Sequence, residues 1–253
     1  MAQLIADHVH KAYPPRSSGQ TEVQALNDFS FEASGHTFVC LVGPSGCGKS
    51  TFLNLVSGVE RPTSGSVAVQ GESGRARIGY VFQDPRLLPW RTIIDNMTYV
   101  HDDGDRKSRR RKCMSYLDMV DLAHTADMYP GQLSGGMRQR IGIARALSIE
   151  PDLLLMDEPF SHLDAITARG LRTELQELWQ ATGATVLFVT HDVNEAVQLS
   201  DRILMMNKGG TLFADIPITL PRPRLQTDRA VVTQQADVLA LFEQMRLEPV
   251  AAT

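Results

Sequence analysis

The chain has 253 residues, of which 43% are hydrophobic and 21% charged, so we expect a globular protein that need not exceed one elaborated domain. No run of about 18 consecutive apolar residues occurs, which argues against a membrane-spanning helix. The N-terminal residues lack the basic and apolar pattern of a secretory signal. The formal net charge of −4 gives no general attraction to nucleic acid, and no nucleic-acid partner is expected.

The N-terminal region predicts a small antiparallel sheet made of residues 4–9 and 29–32. Tyr13 falls in the predicted turn between them, beside Pro14 and Pro15. A tyrosine in such a turn is more often packed or half-exposed than a ligand, although its aromatic face could stack on a purine ring. The residues alone leave both interpretations of Tyr13 open.

A glycine-rich segment then predicts a phosphate-binding loop. It follows an apolar run at residues 37–42, expected to be a buried strand, and precedes the helical pattern of residues 52–56. The glycines let consecutive backbone N–H groups converge on a phosphate, and the helix N-terminus adds its positive dipole end. Lys49 can reach the β- and γ-phosphates of a nucleotide, and the Ser50 hydroxyl is placed to ligate Mg²⁺. The segment consists of Gly43, Pro44, Ser45, Gly46, Cys47, Gly48, Lys49, Ser50 and Thr51.

Buried strands continue to alternate with helices along the rest of the chain. Strands are predicted at residues 66–69, 78–82, 153–156 and 185–190. Residues 90–147 show helical patterns and no convincing strand, which predicts a helical subdomain inserted into an α/β core. A hairpin is expected around residues 208–210, and a tail at residues 221–253 ends in a final helix. The alternation implies a largely parallel sheet with ligands at the carboxyl ends of its strands.

Polar side chains follow three of these predicted strands. Asp157 and Glu158 close one strand, where Asp157 is interpreted as a metal-side carboxylate acting through water and Glu158 as a general base. Gln83 follows another strand, and its neutral amide can ligate Mg²⁺ or orient water. His191 follows a third, where its imidazole can hold a phosphate and the catalytic carboxylate in register. Taken alone, the two acids could instead be a helix N-cap, and the histidine a structural hydrogen-bonding group.

Two further segments carry chemistry that these strand ends do not explain. Ser134, Gly135 and Gly136 open a predicted helix and form a second anion-binding arrangement, which indicates another phosphate contact on a different surface. Residues 106–112 contain six basic side chains in seven positions. A solvated helix face is favoured for this run over a patch that binds anionic lipid or RNA.

The order of these segments resembles that of the ATP-binding cassette (ABC) ATPases. The match is collinear from Tyr13 to about Gly210, with Leu133-Ser134-Gly135-Gly136 between a GPSGCGKST loop and an LLLMDEP strand. The resemblance implies an α/β P-loop NTPase fold with a RecA-like parallel-sheet core, an N-terminal antiparallel β subdomain and the inserted α-helical subdomain. The ATPase domain would span residues 1–220, followed by the tail at 221–253.

The resemblance also implies a role for each candidate residue. Tyr13 would stack on adenine, Glu158 would be the catalytic base, and His191 would be the switch histidine beside the γ-phosphate that Lys49 contacts. Two cassettes of this family face each other head to tail, so the glycine turn after Ser134 in one contacts the nucleotide of the other. The implied nucleotide contacts are Tyr13, the loop from Gly43 to Thr51, Gln83, Ser134, Gly135, Gly136 and Asp164. The implied metal contacts are Ser50, Gln83 and Asp157.

One residue departs from the family pattern. Residues 161–164 correspond to the D-loop, and His162 stands there where the family more often has alanine. Since the D-loop lies at the interface between cassettes in that family, His162 is expected to bear on the coupling between the two sites.

The chain resembles the stand-alone ATPase subunit of a bacterial importer, because it shows neither fused membrane spans nor a second cassette. Residues 81–91 and 220–224 are similar to the nitrate, sulfonate and taurine branch. The resemblance implies ATP and Mg²⁺ as cofactors and a peripheral position on the cytoplasmic face of the inner membrane. It implies a second copy and integral membrane permease subunits as partners, with a periplasmic solute-binding protein engaged indirectly. The alternatives are another importer or exporter, and a soluble ABC ATPase acting on a protein partner.

In the resembled family the permease docks just after the position that Gln83 occupies in this chain, a position known as the Q-loop. The corresponding region here is near residues 83–90. The candidate contacts in this chain are Arg86, Leu87, Leu88 and Trp90. Trp90 has an equally weighted alternative as a core anchor of the helical subdomain.

Overall fold

The computed structural model describes residues 2–15, 21–71 and 74–247. The chain forms two compact units. The first comprises Met1–Ala76 and Thr185–Thr253, and the second comprises Arg77–Ala184. None of the helices in the described ranges is both long and apolar enough to cross a membrane.

Strands and helices alternate as the sequence predicts. The strands are β1 (Gln3–Tyr13), β2 (Val23–Ser34), β3 (Phe38–Val42), β4 (Ser64–Gly71), β5 (Gly74–Arg75), β6 (Ile78–Val81), β7 (Leu153–Asp157), β8 (Thr185–Thr190), β9 (Arg202–Met206) and β10 (Leu212–Pro217). The α-helices are α1 (Lys49–Val56), α2 (Ile93–Thr98), α3 (Arg106–Met119), α4 (Gly135–Ser148), α5 (Ala165–Gln180), α6 (Val193–Leu199) and α7 (Arg229–Leu247). Short 3₁₀ turns lie at Ala123–Thr125 and Pro130–Gln132. The α/β class is thereby confirmed.

The first unit contains the predicted antiparallel sheet, with strand order β2-β1-β4-β5. Its strands are longer than the sequence pattern indicated, and Tyr13 is the last residue of β1, paired with Val23, where a turn was expected. The register of β1 and β2 shifts near residues 6–9, where His8 and Asp28 adopt positive φ angles of 45° and 52°. Such bulges interrupt the alternation of apolar and polar side chains, so the pattern shows only part of each strand.

The same unit holds a group of buried strands around the glycine-rich segment. Strand β3 lies between β8 and β9 and runs parallel to both, with Val42 opposite Thr190 on one side and Met205 on the other. All the residues of β3 and β8 are buried, which explains why both appear in the sequence as continuous apolar runs. This register brings the carboxyl ends of β3 and β8 to the same edge.

The second unit carries a parallel pair of its own, β6 and β7, with Val81 opposite Met156. Helices α2, α3 and α4 lie between these two strands in sequence and pack against one another. Residues 90–147, all of them described, contain no strand, as the sequence predicts. Their role as an inserted subdomain of the ATPase domain stays a prediction.

The basic run is part of α3 and is tied to its own unit. Asp105 caps the helix, with one carboxylate oxygen accepting from the backbone N–H groups of Lys107 and Ser108. Further along, Arg110 lies 3.3 Å from Asp127, and Lys112 lies 3.0 Å from Glu150. These internal contacts favour the interpretation as a solvated helix face.

The tail after β10 is anchored by a buried arginine. The side chain of Arg224 is 2% exposed and donates hydrogen bonds to the carbonyl oxygens of Val197 (2.9 Å), Ile218 (3.2 Å) and Leu220 (2.9 and 3.0 Å), and also to that of Ser200. Burial lowers the pKa of Arg224 to about 10. Since the acceptors belong to the tail and to the end of α6, this one guanidinium fastens the tail to the helix that follows His191.

Replacing Arg224 by Met should destabilise the protein by about 2–4 kcal/mol, because several buried carbonyl groups lose a charged donor at once. Urea unfolding monitored by circular dichroism measures the change, with exposed Arg229→Met as the matched control. A loss below about 0.5 kcal/mol, the range of ordinary surface substitutions, would contradict the anchoring role.

Candidate nucleotide-binding site

The geometry of the glycine-rich loop requires a glycine at position 48. Gly48 is the N-cap of α1 and has a φ of 110°. A Cβ atom there would also lie 2.3 Å from the carbonyl oxygen of Ala25, so this position excludes a side chain on two grounds. The loop closes with a hydrogen bond of 3.3 Å from the Cys47 N–H to the Pro44 carbonyl oxygen. The backbone therefore enters α1 through a tight turn that requires glycine at position 48, and the phosphate contacts of this turn stay a prediction.

Lys49 supplies a desolvated cation inside this loop. Its side chain is 6% exposed, and its ammonium group donates to the carbonyl oxygens of Gly43 (2.8 Å) and Pro44 (3.1 Å). Because carbonyl groups carry only partial charges, an anion that enters the loop is strongly attracted to this cation. The neighbouring Cys47 is buried, and burial raises the pKa of its thiol, so the cysteine remains a neutral part of the loop.

His191 lies at the strand edge where this loop begins. It directly follows Thr190, which pairs with Val42, the residue before Gly43. The backbone after it is fixed, because the Asp192 N–H donates to the Thr190 hydroxyl oxygen at 3.0 Å and Asp192 caps α6. The first unit therefore brings the histidine and the phosphate-binding loop to neighbouring strand ends, as predicted.

Tyr13 is tied to the helix that follows the loop. Its hydroxyl group donates to Glu60 Oε2 at 2.7 Å, and Glu60 Oε1 in turn accepts from Asn54 of α1 at 3.0 Å. The ring is partly exposed, and burial is the main cause of its raised pKa. The aromatic group predicted to stack on a base is thus held by the element that carries Lys49 and Ser50.

In the second unit, Gln83 comes after strand β6, Asp157 is the last residue of β7, and Glu158 directly follows it. Gln83 Nε2 donates to the Ser161 hydroxyl at 3.1 Å, and that hydroxyl donates to the Glu158 carbonyl oxygen at 3.0 Å. Glu158 has a φ of 42°, an unfavourable backbone conformation for a residue with a side chain. The same backbone conformation occurs at His8 and Asp28 in β-bulges, so it does not identify a catalytic residue, and the role of Glu158 stays a prediction.

Ser134 is the N-cap of α4 and accepts a hydrogen bond from the Met137 N–H at 3.3 Å. The turn packs closely, since a Cβ atom on Gly136 would lie 2.8 Å from Cγ2 of Thr167. A cavity of about 250 Å³ within the second unit is lined by Gln83, Gly135, Arg138 and His162, among others. Three segments predicted to be functional therefore meet at one cavity.

Asp164 has a clear structural role at the start of α5. Its carboxylate accepts hydrogen bonds from the Thr167 hydroxyl (2.7 Å) and from the backbone N–H groups of Thr167 (3.0 Å) and Ile166 (3.2 Å). These bonds, led by the one from the Thr167 hydroxyl, lower the pKa of Asp164. The nucleotide contact implied for this residue stays a prediction.

Arg145 on α4 was missed by sequence reasoning. Its guanidinium donates to the carbonyl oxygens of Pro85 at 2.6 Å and Arg86 at 3.3 Å, and burial lowers its pKa. On the same helix, Gly142 has no Cβ, and one built there would lie 3.3 Å from Pro85. The only signal in the sequence is that residues 142 and 145 share a face with residues 138 and 139 of the predicted helix. The segment after Gln83 is thus fixed to α4.

The segment beyond it presents an exposed tryptophan. Trp90 is 72% exposed, so its alternative as a core anchor is wrong. The loop around it is held by buried Asn96, whose amide accepts from the Leu88 N–H at 2.7 Å and donates to the carbonyl oxygens of Leu88, Arg91 and Thr92. Arg86, also exposed, lies over the ring of Phe82 at 4.3 Å.

Residues 26–161 match the family model of the ABC transporters. The chain belongs to this family. The fold of the cassette is confirmed by a solved structure described as a dimeric, post-hydrolysis state of an ATP-binding cassette bound to ADP and Pi. That structure is 31% identical, has a TM-score of 0.74, and is matched over 86% of this chain and 100% of its own. The chain is therefore an ATP-binding cassette with the P-loop NTPase fold, and ATP is its nucleotide.

Curated relatives of the cassette carry transport names. The nitrate import ATP-binding protein of Synechococcus elongatus is 43% identical over 87% of this chain and 35% of its own length. The bicarbonate transport ATP-binding protein of Synechocystis is 42% identical over 88% of this chain and 82% of its own. The aliphatic sulfonates import ATP-binding protein of Albidiferax ferrireducens is 45% identical over 85% and 77%. The chain thus spans about a third of the first relative's length and most of the other two.

Replacing Lys49 by Ala should weaken ATP binding by at least about thirtyfold, because the loop loses its one desolvated cation while the phosphates keep their charge. Titration calorimetry measures the affinity, and Lys208→Ala removes an exposed lysine on the turn between β9 and β10 as the control. Equal ATP affinity in the two variants would rule out the assigned role of Lys49.

Proposed function

We propose that this chain is the ATP-hydrolysing subunit of a bacterial importer of a small anion such as nitrate, an aliphatic sulfonate or taurine. The observation that carries the proposal is that relatives named for nitrate, bicarbonate and sulfonate transport are 42–45% identical across most of the chain. The relative named for bicarbonate transport adds another small anion to the candidate solutes. The phosphate-binding loop described above supports the ATPase activity.

The proposed chemistry is in-line attack of water on the γ-phosphorus of ATP. The new phosphorus–oxygen bond forms as the bond to the ADP oxygen breaks, and Glu158 accepts the proton from the attacking water. Lys49 and the backbone N–H groups of the loop stabilise charge on the phosphoryl oxygens. His191, fixed at the edge beside the loop, orients the γ-phosphate.

Mg²⁺ is proposed as the second cofactor. The residues predicted to hold it offer a hydroxyl group (Ser50), an amide oxygen (Gln83) and a carboxylate (Asp157), and hard oxygen donors of this kind fit this cation. Among the described residues no cluster of three or more His, Cys, Asp or Glu side chains forms a complete cage. In proteins Mg²⁺ usually keeps several waters and is bound through one or two carboxylates together with substrate phosphates. When bound, it would neutralise charge on the phosphate oxygens.

A second copy of the chain is the proposed partner at the site. The related cassette bound to ADP and Pi is dimeric, and in this chain Ser134, Gly135 and Gly136 form an exposed or half-exposed helix start suited to an anion. In the proposed dimer this turn contacts the nucleotide held by the phosphate-binding loop of the second copy, head to tail. Asp164 is proposed to lie at the same interface.

Integral membrane permease subunits are the proposed docking partners. The exposed Trp90, on a loop held rigid by Asn96, provides the large apolar anchor that protein interfaces use. Arg86, Leu87 and Leu88 are the proposed neighbouring contacts. The chain would then be peripheral on the cytoplasmic face of the inner membrane, and a periplasmic solute-binding protein would act through the permease.

Glu158→Gln should retain ATP binding and abolish turnover, because the amide keeps the shape of the side chain and cannot accept the proton. With ATP unhydrolysed, the variant should run as a stable dimer in size-exclusion chromatography with ATP and as a monomer without it. Turnover of ATP at the wild-type rate by this variant would disprove the assignment of the base.

Trp90→Ala should lose the permease while keeping its fold, because the side chain is exposed and contributes little to the folded chain. Affinity purification of the tagged chain from membranes tests this prediction, with the wild type and Val59→Ala as comparisons. Val59 is a matched control because it is 76% exposed and lies outside the proposed docking surface. Recovery of a membrane permease with the wild type and Val59→Ala but not with Trp90→Ala is expected. Recovery of only a soluble protein by the wild type would instead favour a non-transport ABC ATPase.

A further inference from the structure

The proposed function leaves one cluster of polar and charged side chains without a role, apart from the stacking predicted for Tyr13. It consists of Lys11, Tyr13 and Glu60, with Asn54 of α1 as its fourth member. All four lie in the first unit, and none belongs to the glycine-rich loop. We name this group the Glu60 cluster.

Glu60 is the centre of the cluster. Its Oε2 atom accepts from the Tyr13 hydroxyl at 2.7 Å and from the Lys11 ammonium at 3.0 Å, while Oε1 accepts from Asn54 Nδ2 at 3.0 Å. The side chains of Lys11 and Glu60 are 14% and 25% exposed. A carboxylate with three donors at this degree of burial is held in a single orientation. The hydrogen bond from Tyr13 is the main cause of the lowered pKa of Glu60.

Lys11 acts on the aromatic ring as well as on the carboxylate. Its ammonium nitrogen lies 4.9 Å from the centroid of the Tyr13 ring, in cation–π contact with one face. It also donates to the Arg61 carbonyl oxygen at 2.9 Å. A base that stacks on Tyr13 must therefore use the opposite face, so the cation fixes which side of the ring is available.

The cluster links the end of β1 to the helix of the phosphate-binding loop. Asn54 lies on α1, which begins at Lys49, and the Glu60 N–H donates to the Asn54 carbonyl oxygen at 3.1 Å. On the other side, the Thr63 N–H donates to the His10 carbonyl oxygen at 2.8 Å. The side-chain contacts of Glu60 and these two backbone hydrogen bonds thus connect the aromatic ring to the helix that begins at Lys49.

We propose that Glu60, assisted by Lys11, is a positioning residue for adenine: it holds the Tyr13 ring at a fixed distance from the phosphate-binding loop so that one nucleotide spans both. The inference rests on the proposed function of ATP binding and adds a determinant of affinity for the base. Its ligand is a purine nucleoside triphosphate. Loss of Glu60 should weaken that part of the binding which depends on the base and leave the part that depends on the phosphates.

The experiment compares ATP with inorganic tripolyphosphate, which carries the phosphates without a base. Both are titrated into the full chain, with affinities measured by calorimetry or by competition against a fluorescent ATP analogue. Glu60→Gln and Tyr13→Phe should each weaken ATP about three- to tenfold, because the first makes the charge-assisted hydrogen bond to the Tyr13 hydroxyl a neutral one and the second removes it. Tripolyphosphate should change by less than about twofold. The double variant should be no weaker than Tyr13→Phe alone, since without the hydroxyl group residue 60 has no hydrogen bond to the ring left to lose.

Controls separate the possible failures. Glu243→Gln, on exposed α7, removes a carboxylate elsewhere and should leave both affinities unchanged. Thermal unfolding of each variant shows whether it is folded. If Glu60→Gln is not folded, Tyr13→Phe still tests the positioning role. The positioning role is overturned if Tyr13→Ala weakens ATP binding but Glu60→Gln and Tyr13→Phe do not. It is also overturned if Glu60→Gln and Tyr13→Phe weaken the binding of tripolyphosphate as much as that of ATP. If Tyr13→Ala binds ATP as tightly as the wild type does, Tyr13 does not stack on the base, and the inference about Glu60 is wrong. If the wild type binds neither ligand, the proposed function itself fails.

Discussion

The parallel pairing of β3 with β8 and β9 is the constraint on which the first unit depends. Every residue of these strands except Arg202 is buried, and a shift of one residue would turn each side chain to the opposite face, against different neighbours. The register that burial enforces also fixes where the backbone leaves each strand. Gly43 and His191 are neighbours at that edge because Val42 and Thr190 are paired. The hydrophobic core thereby determines the placement of charged and polar groups that contribute nothing to it.

Much of this arrangement follows from the sequence, since buried parallel strands leave a strong signal. The apolar runs predicted at 37–42, 153–156 and 185–190 agree with β3, β7 and β8 to within a residue at either end. The glycine-rich loop was recognisable because its chemistry requires consecutive residues of particular types. The candidate residues at the strand ends could then be predicted as well, because ligand sites in such sheets form at the carboxyl edge.

What the sequence did not show depends on contacts between distant residues. Glu60 meets Tyr13 across 47 positions, and Arg145 meets Pro85 across 60. No local pattern marks either residue, since a glutamate after a helix and an arginine within one are common. Strand β1 was underestimated because bulges at His8 and Asp28 break its alternation. The exposure of Trp90 could not be settled either, because a tryptophan between prolines and polar residues suits a core or a surface equally well.

Arg145 has a mechanical consequence for α4. The helix begins at the turn of Ser134 and is fastened to the carbonyl groups of Pro85 and Arg86 eleven positions further on. At 1.5 Å per residue the two points are roughly 16 Å apart. A tilt of about 5° about the fastened end would therefore displace the glycine turn by roughly 1.4 Å, half the length of a hydrogen bond. The position of the Ser134 turn therefore depends on how closely the contacts of Arg145 with residues 85 and 86 hold α4.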